Sequence, residues 1–237
     1  MIVRVPGSVR DVEAGRTAPA DEGNGRLVAW LCLVGAVSLV SFVGRFTGGR
    51  PPKDAVYRWD TAVGEAVTFA VILGVALVIA GGLSWRETFA LRRPRSWKIA
   101  LRIMLGVLIG VLVLSRVLDP VLHAGREQGL APSGWDSARA VQFAANFAVL
   151  ALVGPCIEEL TFRGLGFTLL SRYGRWIAIL GTGIAFGLWH GLVYALPVLT
   201  AFGIGLAYLR DRSNSIYPGM VLHVAFNALA LAYAVSV

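Results

Sequence analysis

Seven apolar runs, each close to the ~20 residues a helix needs to cross a bilayer, leave this chain few folds to choose from. They read as residues 27–44, 66–83, 99–118, 138 to about 159, 176–190, 192–209 and 216 to the C-terminus. A bilayer core offers no water to unpaired backbone groups, so such runs become helices. The expectation is an all-α, polytopic transmembrane helix bundle of about seven (6–8) spans, forming a single transmembrane domain over 27–237. No repeat at a fixed period subdivides it. Composition agrees: 56% of the 237 residues are hydrophobic, 15% are charged, and the mean hydropathy is +0.68. In a soluble chain the net charge of +8 would point to nucleic acid. The 28 glycines and long apolar runs exclude a soluble basic module, so the expected partner is the lipid bilayer and not a nucleic acid.

Residues 1–26 mix Arg4, Arg10, Arg16 and Arg26 with Asp11, Glu13, Asp21 and Glu22 and hold no aromatic residue, which reads as a disordered cytoplasmic tail. The run after it is too long for a signal peptide and has no small-residue cleavage site. Asp119-Pro120 is expected to end the third span, and residues 119–138 to form a polar connection. With the N-terminus inside, the inside segments hold fifteen Lys and Arg. Four lie in the tail, six in 86–102, and the others are Arg163, Arg172, Arg175, Arg210 and Arg212. The outside segments hold seven. That bias predicts an integral protein of a bacterial plasma membrane with a cytoplasmic N-terminus. Cys32 and Cys156, the only cysteines, lie in apolar runs and read as small buried hydrophobes.

Polar residues inside these runs narrow the chemistry, because a charge at bilayer depth costs roughly 2.5–3.5 kcal/mol and faces a protein interior or a cavity. Glu159 and Arg163 stand at i,i+4 and share a helix face. Glu158 points about 140° away from Arg163, so it is left unpaired. Downstream, Phe186 precedes His190 by one turn, and Gly183, Gly187 and Gly191 form a small-residue stripe for close helix approach. His223 and Asn227 share a face of the last span, which Pro218 opens near its first turn. His123, in the polar connection, reads as structural.

The series Glu158-Glu159-x-x-x-Arg163, Phe186-x-x-x-His190 and His223-x-x-x-Asn227 resembles, in order and without substitution, the three motifs of the CPBP family of intramembrane proteases. That family includes the Ras-converting CAAX prenyl protease and the bacterial Abi proteins. The resemblance covers about Ala138 to Ala228 and implies a CAAX-protease-like catalytic core at 138–237. It implies an intramembrane endopeptidase acting without a covalent intermediate or a cofactor. In that reading Glu158 and His190 activate water, and His223 and Asn227 supply the oxyanion donors. Glu159, Arg163 and Phe186 support them. The implied partner is a membrane-associated or lipidated peptide or protein, and the oligomeric state stays open.

Three alternatives remain beside it. Zinc could be held by Glu158, His190 and His223, although no HExxH spacing is present. Cys156 lacks an evident activator for thiol chemistry. A non-proteolytic immunity or scaffold protein, or a proton-coupled carrier, would also use polar residues in spans. The peptidase reading carries a geometric demand. Glu158 and His190 meet only if the fourth helix extends past Glu159 to about Leu170, with the fifth continuing beyond Gly191. The site should then open toward the cytoplasmic half of the membrane.

Overall fold

The computed structural model describes residues 20–48, 52–122 and 134–236. Seven long helices stand where seven apolar runs were expected. We label them α1 (Ala20–Thr47), α2 (Trp59–Ile79), α3 (Trp97–Leu122), α4 (Ser137–Ser171), α5 (Arg175–Trp189), α6 (Leu196–Ser213) and α7 (Tyr217–Ala234). One further turn, Trp85–Thr88, lies between α2 and α3. Five of the seven, α1 to α4 and α7, are long and apolar enough to cross a membrane. The 15-residue α5 is apolar but shorter, and α6 carries Arg210 and Arg212 in its last turn. The chain is an integral membrane protein.

Several boundaries differ from the expectation. Residues 20–26, assigned to the tail, belong to α1; residues 1–19 lie outside the described residues. Arg26 holds this end to the bundle by donating to the Gly81 carbonyl at 2.8 Å. Helix α2 starts at Trp59, seven residues early, and so takes in Glu65. Helix α3 runs through Pro120 to Leu122. Pro120 sits in the last described turn, and its missing N–H removes a single intrahelical bond. His123 lies outside the described residues.

Helix α4 is the central post. Trp30 of α1 reaches it with an Nε1–H bond to the Thr161 carbonyl, 2.9 Å long and buried. The ring of Trp30 meets Phe162 edge-on, and Phe162 in turn meets Phe186 and Trp189 of α5. The glycine stripe does what small residues in a span allow. A Cβ on Gly183 would lie 2.7 Å from the Ile204 nitrogen, and one on Gly187 would lie 2.2 Å from Thr200 Oγ1, so α5 and α6 approach backbone to backbone. Gly191 (φ +63°) turns the chain after α5, where a side chain would collide with Ser41 of α1.

The outer faces are apolar: Val40 is 71% exposed, Val78 80% and Val117 66%. Such faces belong against lipid tails, which also explains Cys32. It is exposed and not buried, because a lipid-facing position is as apolar as a core one; Cys156 is half-buried and both thiols are free. Arg163, counted above with the loop charges, is fully buried, and the positive bias persists without it.

Candidate active site

Within its 35 residues α4 changes winding twice. Residues Ala148–Val153 and Leu160–Gly166 form π turns, and the α-helical turn Gly154–Glu159 between them carries the paired carboxylates. Wide turns of this kind are rare and occur often at functional sites. The first has a legible cause. Gly154 donates its N–H to the Val149 carbonyl, five residues back. The same pattern would send residue 155 to Leu150, but Pro155 has no N–H to give. Asn227 of α7 fills the gap, donating from Nδ2 to the Leu150 carbonyl at 3.2 Å. In the second π turn the Thr161 and Arg163 carbonyls accept from Trp30 Nε1 and Arg210 Nε.

The two carboxylates take different partners. Glu159 is fully buried, with Arg163 Nη1 3.0 Å from its Oε1. The guanidinium also donates to the Gly203 carbonyl at 3.0 Å and lies 4.4 Å over the Phe186 ring. Gly219, in the first turn of α7, leaves room for this carboxylate: a Cβ there would lie 2.6 Å from Glu159 Oε2. The positive end of the α7 dipole therefore faces an anion. Glu158, 7% exposed, has no Lys or Arg within ion-pair distance among the described residues.

His223 stands between the two acids. Its Nδ1 is 3.2 Å from Glu159 Oε1, and its Nε2 is 3.6 Å from Glu158 Oε2, beyond a good hydrogen bond. His190 caps the end of α5. Its Nδ1–H donates to the Phe186 carbonyl at 2.8 Å, which leaves Nε2 as the acceptor. Glu158 and His223 are both electrostatic neighbours of His190. Phe186 packs on both imidazoles, its ring centroid 4.8 Å from that of His190 and 5.4 Å from that of His223.

Depth is matched by the hairpin between α4 and α5. Glu158 lies thirteen residues before Ser171 and His190 fifteen after Arg175. At 1.5 Å per residue these are about 20 and about 22 Å from the turn. Extension of α4 to Ser171 suffices to bring this about. The expected continuation of the fifth span beyond Gly191 is corrected, because α5 ends at Trp189 and Gly191 turns away.

The structure thus gathers Glu158, Glu159, Arg163, Phe186, His190 and His223 into one cluster. Asn227, one turn beyond His223, points its amide nitrogen at the Leu150 carbonyl. Among the described residues, no group of three or more His, Cys, Asp and Glu side chains is arranged to hold a metal. One residue was missed by the sequence reading. Glu65 of α2 is half-buried, and its carboxyl is an electrostatic neighbour of Glu158. The available signal was an acid in an apolar run, hidden because that run was started at Ala66.

Residues 140–229 match the model of a family described as Type II CAAX prenyl endopeptidase Rce1-like. A curated protein of Bacillus subtilis (strain 168) named "Putative membrane peptidase YdiL" is 25% identical over 193 residues, covering 78% of this chain and 77% of that protein. No solved structure gives a significant match.

Proposed function

We infer, from a membrane-embedded Rce1-like CAAX prenyl endopeptidase domain at residues 140–229, that this protein hydrolyses a peptide bond in a membrane-associated or lipidated substrate. The observation that carries the reading is Glu158: a carboxylate among apolar helices with no Lys or Arg within ion-pair distance among the described residues, beside His190 and His223, while its neighbour Glu159 is neutralised by Arg163. Water is a poor nucleophile and needs a base, and the oxyanion it creates needs fixed donors. Glu158 takes a proton from water held with His190 Nε2 as the water oxygen bonds to the carbonyl carbon. His223 turns its Nε2 toward Glu158, and from there that nitrogen meets the oxyanion. Asn227 has a second amide N–H beyond the one given to Leu150. The proton held by Glu158 then passes to the leaving nitrogen as the C–N bond breaks. No step in this scheme uses a metal, so a chelator leaves the rate unchanged.

The matching B. subtilis protein is named as a membrane peptidase, which supports the class of reaction and leaves the substrate to be found. The N-terminus faces the cytoplasm, in keeping with the basic residues gathered at the end of the bundle where α1 begins and α4 ends. The test is a farnesylated reporter peptide presented to the protein in bilayer nanodiscs. Glu158→Gln and His190→Ala each lower cleavage by about 10²–10⁴-fold, the range for loss of a positioned acid or base. Retained cleavage in either variant sinks the assignment.

A further inference from the structure

The end of the bundle that holds the α4–α5 turn bears an open cavity of about 800 Å³, separate from the cluster around Glu158. Arg92, Arg95, Arg175, Arg210 and Arg212 line it, against Glu87 and Asp211. Two of the arginines are already committed, Arg92 to Glu87 and Arg175 to Asp211, each at 2.8 Å. Arg95, Arg210 and Arg212 have no carboxylate within ion-pair distance among the described residues. Arg210 is the informative one. It is only 6% exposed, yet its guanidinium has a single close bond, Nε to the Arg163 carbonyl at 3.2 Å, with Nη1 3.5 Å from Asn214 Oδ1. A buried guanidinium with N–H groups to spare at a cavity wall asks for an anion.

The location says which anion. Trp85, Trp97, Tyr173 and Trp176 ring this end of the bundle and are all exposed. Tryptophan and tyrosine gather at the headgroup level of a membrane, so the cavity lies where lipid phosphates lie. Ile99 forms part of its wall, and Ile103, Gly106 and Gly110 follow it along the same face of α3, with open space over both glycines where an acyl chain can run.

We propose that this cavity binds the phosphate headgroup of an anionic membrane phospholipid through Arg95, Arg210 and Arg212. Guanidinium suits the task because its planar fork matches two phosphate oxygens at once. The proposal is independent of the peptidase reading and uses none of its residues.

The test compares the full chain, in detergent, with equal phosphatidylglycerol and phosphatidylcholine, scoring bound lipid by native mass spectrometry. The wild type retains phosphatidylglycerol preferentially, and Arg95→Gln with Arg212→Gln lowers that preference at least about fivefold, as expected on losing charge-assisted bonds. Both substituted side chains are exposed, so the variant folds; an unchanged thermal midpoint in phosphatidylcholine nanodiscs checks this. Equal retention of the two lipids by the wild type, or an unchanged preference in the variant, overturns the proposal. So does a thermal shift by inorganic phosphate without any phosphatidylglycerol adduct, which would assign the cavity to free phosphate.

Discussion

Adjacent carboxylates on one helix need not share a fate. Glu159 turns toward Arg163 and the start of α7, whereas Glu158, about 100° round the helix, reaches His223 Nε2 and the neighbourhood of Glu65. The Glu159–Arg163 pair is fully buried, and removing one partner strands the other charge at a cost of about 3–5 kcal/mol. Arg163→Met should therefore lower the thermal midpoint in detergent sharply, and adding Glu159→Gln should recover part of the loss. Additive effects in that cycle would mean the two residues are not coupled. Glu65 touches the same field without a place in the scheme above, so Glu65→Gln should reduce reporter cleavage less than about tenfold, against the 10²–10⁴-fold of an acid or base. A loss as deep as that of Glu158→Gln would promote Glu65 to the chemistry. The ion pair was legible because i,i+4 spacing is local. The wedging of His223 between both acids was not, since it depends on how α7 docks against α4.

At the level of the helix, the two π turns of α4 escaped the sequence, because a 3.6-residue repeat is the assumption with which an apolar run is read. One clue was present. Gly154-Pro155 inside a span announces a carbonyl without a backbone donor, and an amide on another span is one way to answer it. This makes Asn227 a structural residue whatever else it does. Asn227→Ala should cost about 1–3 kcal/mol by orphaning the Leu150 carbonyl. In a Pro155→Ala background, where residue 155 has its own N–H to offer, the same substitution should cost less than half as much. Equal costs in the two backgrounds, measured by thermal unfolding, would break the link between proline and asparagine.

For the molecule as a whole, the bilayer supplied most of what could be read in advance: seven apolar runs and a lopsided distribution of arginine. The tertiary contacts explain what could not: the fifth run was read as a span, and the packing shows how its glycines hold so short a helix against α6. Orientation is open to direct measurement. In a cysteine-free background, an impermeant maleimide added to intact cells should label Lys53→Cys and spare Ser171→Cys until the membrane is opened. The reverse pattern would invert the protein. The hairpin joining α4 and α5 has a bearing on engineering as well. Glu158 and His190 are each measured off from the same bend, at residues 172–174, like two marks on the legs of a pair of dividers. One residue inserted into either leg would swing its mark by about 100° and slide it about 1.5 Å, whereas residues added at the bend itself leave both legs as they were. Gly174, at φ +125° with open space around it, is accordingly the place to splice in a tag.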